Sequence, residues 1–285
     1  MKFPCLLKIS GTTTMKTDHK IIEIPRSQAV DFIQRFHYSP VMPRITKHYL
    51  GFYFDGEMKA ILTLGWGTQP RQTINKMFEG LTTKHYYEIG KMCIDDAMPK
   101  NTGSQILAST ISWMKKNTDK LFLYTLADGI MGKCGYVYQA TNFHFGEGYN
   151  THTYLMENGE RLHIRSANQL LIQNQALDNE DKPFGEGIKK RIRLSTEFMK
   201  ENNIRIIDGL MFRYIYPLNK EAKRLMKKGS TLCWNKDYPK DKDLVWMDTT
   251  DKENKTKITQ PSFSFEFMMH NNITQSAGET LGRFF

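Results

Sequence analysis

The stretch Leu121-Phe122-Leu123-Tyr124-Thr125-Leu126-Ala127 restricts the fold more than any other. A short run with no polar side fits a strand covered on both faces, because a strand with one wet face alternates apolar and polar residues. Such a strand needs a sheet around it and helices above and below. The flanking pattern supplies both. Tyr87 to Asp95 reads as an earlier strand, 96–102 as a proline-broken loop and Gly103 to Lys116 as a helix. A glycine-rich turn (Asp128 to Gly135) and a short helix (Tyr136 to Thr141) follow the buried run. A strand, a crossover helix and a parallel neighbour bring strand ends and a helix N-terminus to one edge, where ligands usually bind. Strict alternation along the earlier strand puts Tyr87, Ile89, Lys91, Cys93 and Asp95 on one face. Glu88, Gly90, Met92 and Ile94 take the other.

The remaining punctuation extends this sheet. Ile21 to Ile24 reads as a strand stopped by Pro25, and Ser27 as the cap of a helix with Ala29, Val30, Ile33 and Phe36 on one stripe. Pro40 ends that helix and leaves His37-Tyr38-Ser39 at its exit. Asp55-Gly56 and Asn158-Gly159, each between apolar runs, predict two hairpins. Thr68 to Lys84 reads as a loop or short helix, and Gln169 to Pro183 as a polar loop or frayed helix. Ile188 to Glu201 reads as a basic helix and Leu210 to Tyr216 as a strand ended by Pro217; Asn219 can cap a last basic helix, Lys220 to Lys228. The expectation is a single domain over 21–248, a loosely ordered segment over 1–20 and a polar, disordered tail over 249–285.

Charge and cysteine usage narrow the function. The net charge of +10 and pI near 9.3 favour a polyanionic partner. Between Gly185 and Gly229 stand twelve Lys or Arg against five Asp or Glu. Lys189, Lys190, Arg191, Arg193, Arg213, Lys223 and Arg224 are the candidate phosphate contacts there; a solvated helix face explains them equally well. Cys5, Cys93, Cys134 and Cys233 form no CxxC pair, which favours reduced thiols and argues against a zinc site. No apolar run approaches membrane-spanning length, and the apolar block at the start is too short for a secretory signal.

Three groups are unusual for a plain core. Asp128 follows a buried strand directly and can point into a cleft. Asn101 and Ser104 bracket a helix start, where free backbone N–H groups attract an anion, although simple capping accounts for them too. Tyr138 lies on an amphipathic helix, where a tyrosine is more often core than catalytic.

The segments Glu88-Ile89-Gly90-Lys91-Met92-Cys93-Ile94-Asp95-Asp96-Ala97-Met98-Pro99-Lys100-Asn101, Leu126-Ala127-Asp128-Gly129 and Gly135-Tyr136-Val137-Tyr138-Gln139-Ala140 resemble the phage Mom proteins. His37-Tyr38-Ser39 is similar to a short segment upstream in that family. The element order in turn resembles the Gcn5-related N-acetyltransferase (GNAT) fold: mixed α/β, a mostly antiparallel central sheet, flanking helices and a C-terminal extension.

The family resemblance implies a DNA-modification transferase acting on double-stranded DNA in the cytoplasm of an infected bacterial host. It would add a carbamoylmethyl-type group to adenine N6 and so protect phage DNA from restriction. By the same resemblance Ser104, Asp128 and Tyr138 are catalytic, with His37, Tyr38, Glu88 and Asn101 in support. Asp128 would orient N6 or accept its proton, Tyr138 would protonate a leaving group and Ser104 would hold the donor. Iron, held by His37, Tyr38, Tyr138 and Asp128, is a further implication, and no ligand spacing in the sequence adds to it.

The chain departs from the family at Thr125-Leu126 and Lys133. The Q/R-x-x-G-x-G/A loop of acetyltransferases is replaced by Pro99 to Ser104, which argues against ordinary acetyl-CoA binding. Trp66, Tyr38 and Phe143 are candidate stacking surfaces for an extruded base. Two other functions fit the same fold: a CoA-dependent N-acetyltransferase and a DNA-binding protein without catalysis. The sequence leaves the group donor open.

Overall fold

Both Asx-Gly pairs make the turns their chemistry favours. In the computed structural model, which describes residues 18–37, 42, 45–67, 73–162 and 196–264, Asp55 and Gly56 have φ of 48° and 84°. Two positive φ values in succession match the twist of the flanking strands, Thr46–Phe54 (β2) and Glu57–Gly65 (β3). Gly159, at φ 83°, turns His144–Leu155 (β6) into Arg161–Leu162 (β7). Lys20–Glu23 (β1) lies against β2, and Arg26–Phe36 (α1) follows it. The cap position of α1 is Pro25, with no side-chain bond, so the expected Ser27 cap is corrected: Ser27 sits inside the first turn.

The chain continues through a short helix, Ile74–Met77 (α2), to Tyr86–Ile94 (β4), Thr102–Asn117 (α3), Phe122–Asp128 (β5) and Tyr136–Ala140 (α4). Beyond β7 come Thr196–Glu201 (α5), Arg205–Pro217 (β8), Lys220–Lys228 (α6), Trp246–Asp248 (β9) and Thr256–Ile258 (β10). The described strands form one ten-stranded sheet in the order β1-β2-β3-β4-β5-β8-β6-β7, with β9 beside β8 and β10 beside β9. Every pairing is antiparallel except β4 with β5. The expected mixed α/β, mostly antiparallel architecture is the observed one.

Each face of the sheet has its own helices. Side chains of β2, β3, β4, β5 and β8, among them Leu50, Leu62, Ile89, Leu123 and Tyr214, pack with Ile106, Leu107 and Ile111 of α3. The opposite face carries α1 over Ile61 and Cys93. It carries α2 and α6 over Tyr86, Phe122, Tyr124 and Ile215. The buried run of β5 is therefore apolar on both sides because it is covered on both sides.

Three expectations change. The face assignment along β4 fails after Ile89: Ile89 pairs with Leu64 and Lys91 with Thr63, so Gly90 is extra. This bulge resets the alternation, putting Met92 and Ile94 with Ile89 against α3, and Lys91 and Cys93 on the opposite side with Glu88. Disorder after Asp248 does not hold for 249–264: β10 pairs with β9, and Ser264 bonds to Arg161 and Gly159 through the backbone. The helix expected over Ile188 to Glu201 is seen only as α5, because 163–195 lie outside the described residues, as do 1–17. Asn219 caps α6 as expected, its side chain accepting the Ala222 N–H at 2.9 Å. No described helix is long and apolar enough to cross a membrane.

Candidate active site where two parallel strands part

β4 and β5 are hydrogen-bonded partners for three residues only, Tyr86 to Glu88 against Phe122 to Tyr124. Beyond that both strands continue, to Ile94 and Asp128, without pairing with each other. The sheet therefore opens between them. On the α3 side the opening faces the N-termini of α3 and α4; on the α6 side it faces a row of charged and phenolic groups.

That row was only partly legible. Asp128, the last residue of β5, accepts from Arg161 Nη1 at 2.8 Å through Oδ2 and from the Ile130 N–H at 3.1 Å through Oδ1. The Asp128 and Arg161 side chains are 17% and 10% exposed, so water screens this ion pair little. Arg161 also donates to Thr153 Oγ1 at 3.2 Å, and its guanidinium stands 5.7 Å from the ring centre of Phe263. Lys91 comes onto the same face through the Gly90 bulge. Burial pulls its ammonium down to about 7, with the Arg161 charge adding to the fall; Cys93 and Asp128 oppose it. The thiol of Cys93 is pushed up to about 12 by burial, so it stays protonated.

A second part of the row lies one strand step away. The Glu88 carboxylate rests against the backbone of Gly67, where a Cβ would stand 2.2 Å from Oε2; the φ of +64° suits glycine there. Burial raises the phenols of Tyr86, Tyr124 and Tyr149, and the charge of Glu88 raises them further. Arg213, paired in register with Leu126, stacks its guanidinium 4.2 Å from the ring centre of Tyr149. Arg213 is thus placed in the sheet face beside the opening rather than on an outer basic surface.

The other expected site residues sit elsewhere. Ser104 Oγ donates to the carbonyl of Asn101 at 2.8 Å, within its own turn. Asn101 is exposed in the left-handed conformation at φ 71°, and its side chain makes no capping bond. The Tyr138 ring is wedged between Phe143 and Tyr214 on the α3 side, its hydroxyl bonded to Thr125 and its phenol raised by burial. Ser104 and Tyr138 are therefore on the α3 side and Asp128 on the α6 side. His37 ends α1, its N–H bonded to the carbonyl of Ile33. Tyr38, Ser39, Lys189, Lys190, Arg191 and Arg193 lie outside the described residues. Lys223 and Arg224 are exposed on α6.

Among the proposed stacking surfaces, Phe143 is fully buried core. Trp66 is half-buried, and its indole N–H donates to the Thr83 carbonyl at 2.8 Å. The described residues do not assemble the iron ligands suggested above: Asp128 and Tyr138 stand on opposite faces. No group of three His, Cys, Asp or Glu gathers among the described residues either.

Lys91, Arg161, Tyr86, Tyr124 and Tyr149 are the members that sequence reading missed. Lys91 stood within the quoted motif, but strict alternation faced it away from Glu88. Arg161 follows the Asn158-Gly159 turn and pairs with Leu155 on β6, a register that by itself gives no sign of the bond to Asp128.

The sequence also matches known proteins. The chain is 23% identical, over 240 residues, to the methylcarbamoylase mom of Escherichia phage Mu, covering 83% of this chain and 91% of that protein. The sequence model of the Mom protein family matches residues 18–240, which hold every described member of the row around the β4–β5 opening. The chain belongs to the Mom protein family.

Proposed function

We propose that this chain is a phage DNA-modification enzyme that transfers a carbamoylmethyl-type group to adenine N6 in double-stranded DNA and so shields it from restriction. The name of the phage Mu relative supports the transferred group. The observation that carries the reading is the little-exposed Asp128–Arg161 pair where β4 and β5 part, with Lys91 brought to the same face by the Gly90 bulge. Adenine N6 is a weak nucleophile because its lone pair is delocalised into the ring, so it needs a positioned base or a strongly electrophilic donor. An amine with pKa about 7 is about half unprotonated at neutrality and mostly so above it, and can take a proton there.

In this scheme the N6–carbon bond forms as N6 loses a proton to Lys91. The donor's leaving group departs with its bonding electrons and takes up the proton that Lys91 received from N6. Asp128 holds Arg161, and that guanidinium holds Lys91 down. Glu88 and the Tyr149–Arg213 stack line the approach for the extruded base. No step runs through iron.

Mass spectrometry of nucleosides from cells expressing the chain tests the proposal; a carbamoylmethylated deoxyadenosine is expected. Unmodified DNA together with acetyl-CoA turnover on a simple amine would instead mark an acetyltransferase.

A further inference from the structure

Two lysines and a histidine on the α6 side come from separate elements to one spot. α6 seats Ala222, Leu225 and Met226 on the sheet near Ile215, turning Lys220, Lys223, Arg224, Lys227 and Lys228 to solvent. Ile215 pairs with His144, the first residue of β6. The 235–236 segment is fastened to the same end of β6. Phe145 and Asn235 exchange backbone bonds of 2.9 and 3.0 Å, and Lys236 Nζ donates to Asn142 Oδ1 at 3.0 Å. Lys223, Lys236 and His144 thereby come together from a helix, a loop and a strand. The His144 ring is held below its ordinary pKa by burial and by the charges of Lys236 and Lys223. None of these three, and no basic residue of α6, forms an ion pair among the described residues. Gathering like charges without a counter-charge is unfavourable unless an anion joins them.

The position of this group says which anion. Arg213 is two residues from Ile215 on β8 and on the same face, so the cluster and the Arg213–Tyr149 stack are about 7 Å apart along the strand. A chain of phosphates crossing Lys223, His144 and Lys236 would continue directly toward the β4–β5 opening.

We propose that His144, Lys223 and Lys236 form a phosphate-binding site that seats the backbone of the DNA substrate and sets the direction from which it enters the active site. This rests on the DNA-modifying reading above. The test is duplex binding by fluorescence anisotropy over a salt titration. It compares the full chain, the Lys223→Ala/Lys236→Ala variant and a control with two exposed lysines changed elsewhere, Lys252→Ala/Lys257→Ala.

Losing two phosphate contacts should flatten the slope of log affinity against log salt by about 2 and weaken binding roughly tenfold or more at low salt. The control should keep the wild-type slope. An unchanged slope in the first variant, equal losses in both variants, or tighter binding to polyglutamate than to duplex DNA would each overturn the site. The nucleoside measurement separates this from the functional reading. Modified DNA with an unchanged slope removes the site alone, whereas the expected slope with unmodified DNA removes the reaction and leaves the site.

Discussion

The two faces of the sheet solve different problems with the same strands. On the α3 side, residues such as Leu62, Leu107, Leu123 and Phe143 are fully buried and apolar. On the other face, between α1 and α6, Glu88, Lys91, Tyr124, Asp128, Tyr149, Arg161 and Arg213 are drawn into one polar row. Burying charges this way costs stability, and pairing only partly offsets it. A chain that maximised stability would cover both faces alike. The asymmetry therefore marks the α6 face as the one where chemistry was kept at the expense of packing, and substitutions should behave oppositely on the two sides.

The sharpest test of that contrast is Lys91→Met. Formation of modified deoxyadenosine should fall at least about 100-fold, the scale of a lost proton acceptor, while stability rises at pH 6. The sign follows from the lowered pKa. Between about 7 and the ordinary 10.5 the folded chain binds fewer protons at Lys91 than the unfolded chain. The penalty is thus full below 7, and stability climbs as pH rises through that window. Thermal melts from pH 6 to 10 should show the climb in the wild type and lose it in Lys91→Met. The modification rate should likewise rise through pH 7 in the wild type, with no such limb in Lys91→Arg.

Leu107→Ala on the opposite face should do the reverse. Denaturant unfolding should show a loss of about 3 kcal/mol from the cavity, with activity per folded molecule unchanged. Arg161→Ala lies between these two. It strands the partly buried Asp128 carboxylate, so a loss of about 2 kcal/mol should accompany a fall in modification larger than the lost stability explains. Ser104→Ala should be the mildest. Its hydroxyl bonds only within its own turn, so less than about 1 kcal/mol should be lost. A collapse of activity there would move the chemistry to the α3 side and undo the contrast.

Local chemistry made much of this architecture legible. The Asp55-Gly56 and Asn158-Gly159 turns, the Asn219 cap and the doubly covered run of β5 all depend on neighbours in sequence, and all are seen. What escaped depends on partners distant in the chain. The Gly90 bulge exists because of the pairing with Thr63 and Leu64, and nothing within β4 announces it. One unpaired residue was enough to turn Lys91 from the wrong face to the right one. The Asp128–Arg161 bond, 33 residues apart, needed the positions of β6 and β7. Asp128, Tyr138 and Ser104 were found as residues, but their division between two sides of the sheet was not.

The segment past residue 240 carries a practical consequence. The family match stops there, yet the Trp246 indole donates to the Ile130 carbonyl at 2.9 Å. Gln260 fills the space beside Gly132, and Ser264 accepts from the Arg161 N–H. Structural dependence runs past the point where the homology ends. A shortened version for crystallisation or assay should keep the residues through Ser264, because cutting at the homology boundary would strip the brace from behind the very guanidinium that holds Asp128.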